Sequence, residues 1–166
     1  MSKIKKTVLT ALIAAAYAVT TLAIAPLSFG AMQFRVSEVL TILPAFTPLA
    51  IPGLAIGCLI ANLFSPFGII DIVFGTLATL IAAFLSYKVK DIKLWDFPIL
   101  APLFPILSNG LIIGAVTSIM ADLNFNGFLI NAALIALSEG VSCYILGLPF
   151  YFGFKAVLKK GKIDLQ

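Results

Sequence analysis

The sequence predicts an all-α membrane protein, a single integral membrane domain over 1–166 made of six transmembrane helices, the second and third of them short, with both termini cytoplasmic. Three observations predict it. Of 166 residues, 61% are apolar and only 11% are charged, against about 25% charged in a soluble domain. The apolar residues come in runs of spanning length, giving a mean hydropathy of +1.14. The lysines, finally, fall only in connections that six spans place on one side of a bilayer. At about 20 residues per span, six helices take up roughly 120 residues and leave no room for a soluble catalytic domain.

Residues 7–34 carry no charge and follow Lys3, Lys5 and Lys6, so the first span is expected at about 7–26. The basic start, the apolar run and Ala23-Ile24-Ala25 resemble a secretory signal with a small-residue cleavage site. The run is long for such a signal, however, and cleavage would move the later lysines outside, so the first span is expected to stay in the protein. A second uncharged run, 39–70, is broken by Pro44, Pro48, Pro52 and Gly53. It reads as spans at 35–46 and 50–65, or as a broken or re-entrant pair; the parity of the topology is the same. Spans at 69–88, 97–121 and 128–158 complete the set, the last interrupted by Glu139.

The lysines orient the bundle. Lys3, Lys5 and Lys6 precede the first span, Lys88, Lys90 and Lys93 follow the fourth, and Lys155, Lys159, Lys160 and Lys162 close the sixth. The positive-inside rule makes their common face cytoplasmic. The 44–52 connection, on the same side, is a neutral exception. Trp95 and Tyr87 flank the basic loop as interfacial anchors. This distribution accounts for the net charge of +4 without a nucleic-acid partner.

Composition also excludes functions. The chain has no histidine, the commonest general base and metal ligand. Cys58 and Cys143 sit far apart in apolar runs and read as small buried hydrophobes. No GxxxxGK[ST] phosphate loop is present, so the chain cannot by itself hydrolyse ATP. No cofactor is implied. A membrane enzyme is disfavoured, because the carboxylates lie at different depths and no acid–base pair is evident.

Polar groups inside the spans mark the candidate site, since a charge at the helix centre costs about 2.5–3.5 kcal/mol on insertion scales. Glu139 lies eleven residues into the sixth span, roughly 16 Å deep at 1.5 Å per residue. Asn109 reaches a similar depth on the fifth, within Ser108-Asn109-Gly110, a sequence expected to form a weak or opened turn. Together they suggest the floor of a cavity open to the outside. The alternative for Asn109 and Glu139 alike is an interhelical hydrogen bond that holds helices together. Ser138 and Ser142 flank Glu139, but serine commonly bonds back to its own helix.

An outer cluster joins them. Arg35, the sole arginine, precedes Glu38 by one helical turn, so the two are expected to pair; Gln33 and Phe34 adjoin them. Asp71 opens the fourth span, where the helix dipole favours a carboxylate. Asn131 is placed to face the same vestibule, whereas Asp122, Asn124 and Asn126 read as a solvated turn. Carboxylates, amides and one guanidinium beside an aromatic suit a small flat heterocycle with several donors. A carboxylate accepts two N–H bonds from a guanine-like edge, and an aromatic stacks on the ring. A strongly anionic solute fits poorly against a single cation. On the first span, Ala11 and Ala15, and Ala14 and Ala18, form small-residue stripes that admit a close helix partner; Gly53 and Gly57 offer a second such surface. Packing within the chain is the alternative use of all of them.

Ala25-Pro-Leu-Ser-Phe-Gly30, Gln33-Phe-Arg-Val-Ser-Glu38, Ile51-Pro-Gly-Leu-Ala-Ile-Gly57 and Asp71-Ile-Val-Phe-Gly-Thr-Leu-Ala-Thr79 resemble the QueT family over nearly the whole chain. These are S components of energy-coupling-factor (ECF) transporters, assigned to queuosine precursors. The resemblance implies an S-component-like six-helix bundle that captures a 7-deazaguanine base from outside, with the loop between the first two spans as a lid. It implies docking, through Ala-x-x-x-Ala on the first helix (here Ala11 and Ala15), onto the membrane scaffold subunit EcfT bearing two cytoplasmic ATPase subunits. The expected roles are Glu139 and Asn109 reading the base edge, Phe34 covering the ring, and Arg35–Glu38 latching the lid. An aminomethyl form of the base adds a cation for Asp71 or Glu38. The competing reading is a stand-alone proton-coupled secondary transporter with Glu139 and Asp71 as carriers. The lack of a clear inverted repeat counts against it.

Overall fold

The computed structural model describes residues 1–30, 33–162 and 165. The described residues form helices and turns, with one isolated bridge between Leu94 and Phe97. Four helices are long and apolar enough to cross a membrane: α1 (Lys3–Ala23), α4 (Ile69–Lys88), α5 (Leu103–Met120) and α6 (Phe125–Gly161). A four-residue turn of helix, α2 (Ala25–Ser28), follows α1. Between α2 and α4 lie a 3-10 helix, Val36–Ala45, and α3 (Ala50–Asn62). Thus four long and two short apolar helices stand where six spans are predicted.

Local sequence explains the boundaries. Ser2 caps α1, its hydroxyl accepting from the Lys5 amide at 3.3 Å. α1 stops at Ala23, and Pro26 sits in the first turn of α2, where its missing N–H is harmless. Pro52 likewise occupies the first turn of α3. The 35–46 span is a 3-10 rather than an α-helix. Its β-branched Val36, Val39, Thr41 and Ile42 and its Pro44 all disfavour the α form. At about 2.0 Å per residue, this ten-residue segment reaches only two-thirds of a 30 Å core. α4 occupies the predicted 69–88 interval. α5 starts six residues later than expected: Pro98 and Pro102 keep 97–102 in turns, because the residue before a proline avoids the α region. α6 runs beyond the expected 128–158 at both ends, from a cap in which Asn124 accepts from the Gly127 amide at 2.9 Å.

α5 and α6 each contain one π turn, at Asn109–Ile113 and Val141–Leu146. The first begins where Ser108-Asn109-Gly110 predicts an opened turn, and the second follows Glu139 by two residues. Such turns commonly mark functional positions. The two helices approach closely there. A Cβ on Gly114 would lie 2.9 Å from the Ala132 Cα, and one on Gly110 3.1 Å from the Ala136 Cβ.

The 3-10 helix is the axis of the bundle. Seven of its ten residues are buried, and α1, α3, α4 and α6 all pack around it. α1 turns Ile13, Ala14, Tyr17, Ala18 and Thr21 inward and packs on the Gly53–Gly57 face of α3. At one end of the bundle the chain's basic segments meet. Thr10 near the start of α1 bonds to the Leu49 carbonyl, Thr47 to the Leu165 carbonyl, and Lys155 pairs with Asp96. Leu12, Val19, Phe74, Ile119, Ile130, Leu137 and Ile145 are exposed on the outside, an apolar coat that suits lipid rather than water.

Candidate functional site: a closed polar network in the bundle

Three elements supply the half of the site near α2. Arg35 caps the 3-10 helix, its carbonyl accepting from the Glu38 amide at 3.1 Å, but its backbone is extended (φ −105°, ψ 103°) and its side chain does not turn to Glu38. Its guanidinium instead reaches across to α4. One terminal nitrogen donates to Gln33 Oε1 at 3.2 Å and to Asp71 Oδ2 at 3.4 Å, Nε donates to the Ser28 carbonyl at 3.4 Å, and Cys58 Sγ lies 3.9 Å from the other terminal nitrogen. The expected Arg35–Glu38 pair is therefore corrected: the partner of Arg35 is Asp71, both side chains being 2% exposed. Gln33 holds a left-handed backbone (φ 47°), a strained conformation worth about 1–3 kcal/mol that persists only where the surroundings fix it. The ring against the guanidinium is Phe29, its centroid 5.5 Å from Cζ. Phe34, expected to cover the site, is half-buried.

Glu38 faces α1 and α6. It accepts from the Tyr17 hydroxyl. Because side chains at i and i+3 eclipse on a 3-10 helix, Thr41 lies on the same face, and Cys143 of α6 fits against both: its Sγ is 3.7 Å from the Glu38 carbonyl oxygen and 3.9 Å from Thr41 Oγ1. The same sulfur lies 3.7 Å from Glu139 Oε2, while Asn109 Nδ2 donates to Glu139 Oε1 at 2.9 Å. Glu139 and Asn109, expected at one depth on neighbouring helices, are thus in direct contact. Asn62 closes the ring on the α3–α4 side, donating to the Asp71 carbonyl at 2.9 Å and lying 3.4 Å from Cys58 Sγ. Gly75 makes room for this amide: a Cβ there would sit 2.5 Å from Asn62 Nδ2.

The outward opening predicted above Glu139 and Asn109 is not found among the described residues, and Glu139 packs directly against Asn109 and Cys143. Arg35, Gln33, Glu38, Asp71, Asn109 and Glu139 are each at most 3% exposed. The closure has a local cause: the Ser28 hydroxyl bonds back to the Thr21 carbonyl at 2.9 Å and the Ser28 carbonyl receives Arg35, which folds α2 onto the site. Six buried side-chain atoms have no hydrogen-bond partner among the described residues, Thr76 Oγ1, Ser142 Oγ and four in the network: Gln33 Nε2, Glu38 Oε2, Asn62 Oδ1 and Asn109 Oδ1. A buried polar atom without a partner costs about 1–3 kcal/mol, so four in one network is an unusual concentration.

A family model described as QueT transporter matches residues 7–156. The chain belongs to the QueT transporter family. That family is one of transporters, not enzymes. A relative, the "Queuosine precursor transporter QueT" of Lactococcus lactis subsp. cremoris (strain MG1363), is 39% identical over 90 residues, a stretch covering 53% of this chain. The match spans about half the length of that relative, 52%. No solved structure matches the chain.

In this QueT-family chain the network also contains residues that the sequence reading passed over. Cys58 and Cys143 are not mere apolar fillers: Cys58 lies against Arg35, Asn62 and Thr79, and Cys143 against Thr41 and Glu139. Asn62 meets the same criterion as Asn109, a lone amide in an apolar run, and was open to the same reasoning. Tyr17 lies on the inward stripe of α1, the only ring among small residues there. Three other residues singled out in the sequence sit apart from the network. Asn131 Nδ2 lies within 2.7 Å of Thr117 Oγ1, 3.0 Å of Ser118 Oγ and 3.3 Å of the Gly114 carbonyl, and so ties α6 to α5. Ala14 and Ala18 are buried against α3: a Cβ on Gly57 would lie 2.6 Å from the Ala14 carbonyl oxygen. That close packing corrects their assignment as a docking stripe. Ala11 and Ala15 remain exposed. With Ala14, Lys6, Leu49, Ile56 and Ile60 they line an apolar groove of about 530 Å³.

Proposed function

We propose that this chain is the substrate-binding S component of an ECF-type ABC transporter, capturing a queuosine precursor, a 7-deazaguanine base, from outside the cell. Support comes from the family, from a relative named as a queuosine precursor transporter, and above all from the four unpartnered buried atoms. One amide nitrogen, two amide oxygens and a carboxylate oxygen supply the donors and acceptors that a guanine-like ring requires. Glu139 and Asn109 read the donor edge of the base. Gln33 and Asn62 serve its carbonyl and ring nitrogens. The Arg35–Asp71 pair latches the segment around α2, and Phe34 closes over the ring, with Asn131 holding the outer rim.

The protein lies in the cytoplasmic membrane with both termini inside, and Ala11 and Ala15 form the face that meets EcfT and, through it, two cytoplasmic ATPase subunits. The second reading, proton coupling through Asp71 and Glu139, is less well supported: Asp71 is held by Arg35, and a carrier carboxylate must be free to exchange its proton. Equilibrium binding of labelled 7-deazaguanine bases to the purified chain tests the proposal. Saturable binding that Glu139→Gln weakens at least ten-fold is expected. Absence of binding, or uptake into vesicles containing this chain alone and driven by a pH gradient, overturns it.

A further inference from the structure

Cys143 stands in the π turn Val141–Leu146, four residues after Glu139, with oxygens on several sides of its sulfur. Sγ lies 3.7 Å from Glu139 Oε2, 3.7 Å from the Glu38 carbonyl oxygen and 3.9 Å from Thr41 Oγ1. These oxygens share a single S–H, itself a weak donor. The Glu38 carbonyl already receives the Thr41 hydroxyl. On the Glu139 carboxyl the two oxygens are held unequally: Oε1 takes the Asn109 amide at 2.9 Å, whereas Oε2 meets the sulfur at 3.7 Å. The groups around the thiol are also incompletely used. Asn109 keeps a buried Oδ1 without a partner among the described residues, and so does Glu38, whose Oε2 is unpaired. Strong acceptors are thus gathered around a donor too weak to satisfy them.

We propose that Cys143 lines the solute pocket as an exchangeable cap on Glu139: its thiol covers Oε2 in the empty chain and yields that oxygen to an N–H donor of the bound ring. The inference rests on the binding reading of the preceding subsection and adds to it a residue that sets affinity by bonding weakly. An arriving N–H gains a full hydrogen bond to a carboxyl oxygen while only a loose sulfur contact is lost. A strong donor at position 143 holds the same oxygen back, because the solute then has to break one good bond to make another. Cys143→Ser supplies such a donor, and Cys143→Ala supplies none.

The test is titration of 7-deazaguanine onto the purified full-length chain and these two variants. Cys143→Ala is expected to bind at least as tightly as the unaltered chain, and Cys143→Ser about five-fold more weakly, the worth of one net hydrogen bond. Thermal melts of the empty proteins are expected to run the other way, with Cys143→Ser the more stable variant. A residue that merely packs gives the reverse binding order, since serine is the closer mimic of cysteine. Binding by Cys143→Ser as tight as by Cys143→Ala therefore overturns the proposal. The chain has two cysteines, so Cys58→Ser leaves Cys143 as the sole thiol. Methyl methanethiosulfonate is expected to abolish binding in that background, and saturating 7-deazaguanine to protect against it. Full binding by the modified chain overturns the proposal even if neither variant at 143 folds. If 7-deazaguanine does not bind the unaltered chain, the reading of the site as a deazaguanine pocket fails, and this inference with it.

Discussion

Arg35 and Asp71 are 36 residues apart in sequence and 3.4 Å apart in the structure, an ion pair with both side chains almost wholly out of solvent. Removing one partner of a buried pair strands the other charge, which typically costs about 3–5 kcal/mol, whereas replacing both with apolar groups is often nearly neutral. Asp71→Asn and Arg35→Gln are therefore each expected to be strongly destabilising, and Arg35→Leu/Asp71→Leu less so than either single change. Unfolding of the detergent-solubilised protein measures the order. A double variant less stable than both singles contradicts it.

Gly57, Gly75 and Gly153 separate close packing from helix propensity. A Cβ on Gly57 meets the Ala14 carbonyl oxygen at 2.6 Å, a backbone atom that cannot move without α1, while one on Gly75 meets the Asn62 amide at 2.5 Å. Overpacking typically costs about 1–3 kcal/mol. Gly57→Ala is expected to lower stability by that order, and Gly75→Ala to weaken solute binding by displacing Asn62. Gly153 has nothing within 4 Å, so Gly153→Ala is expected to be neutral or stabilising by up to about 1 kcal/mol. Thermal melts with binding assays on the three variants check this.

The two alanine stripes of α1 predict opposite phenotypes. Both Ala14 and Ala15 border the groove, but Ala15 is exposed whereas Ala14 is buried with its carbonyl against Gly57. Ala15→Leu is expected to abolish uptake by the assembled transporter while leaving solute binding to the isolated chain unchanged. Ala14→Leu is expected to lower expression and stability first. Normal uptake in Ala15→Leu moves the docking face elsewhere.

Trp95, the one tryptophan, is 89% exposed at the tip of a turn in which it and Asp96 both adopt left-handed backbone. The turn is held by the Leu94–Phe97 bridge and by the ion pair of Asp96 with Lys155. The indole is expected to sit at the headgroup level, which quenching by brominated lipids measures directly. The Lys155 ammonium donates to the Asp96 carboxylate and holds its pKa below the usual value. A depressed carboxylate contributes its stabilisation above the ordinary range near pH 3.9 and loses it as pH falls through the lower folded value. The clamp should thus persist below the pH at which a free aspartate protonates. Trp95 emission followed on acidification reports its release, and Asp96→Asn is expected to remove that transition.

Much of the fold was legible because lipid imposes a simple rule: apolar runs of sufficient length, bounded by charge or proline, become helices. α4 fell at its predicted bounds, and Asn109 and Glu139 were expected at one depth because position along a helix converts directly to height. The rule fails where the backbone leaves the α-helix. Arg35 was paired with Glu38 by counting one turn, and its carbonyl does close the first 3-10 turn on the Glu38 amide, but its extended backbone sends the guanidinium to α4. The 97–102 segment carries an apolar composition yet forms turns, because two prolines override it.

The sequence by itself determined a membrane-embedded helical bundle, the segments that build it and the isolated acids and amides that lipid would reject, since these follow from the mismatch between polar groups and an apolar solvent. Only the tertiary structure decided which of them meet: Asp71 with Arg35, Tyr17 with Glu38, Cys143 between two glutamates. Those partnerships depend on the rotation and offset of each helix about its axis. These are set by Gly57 against Ala14 and Gly75 against Asn62, contacts between residues far apart in the chain.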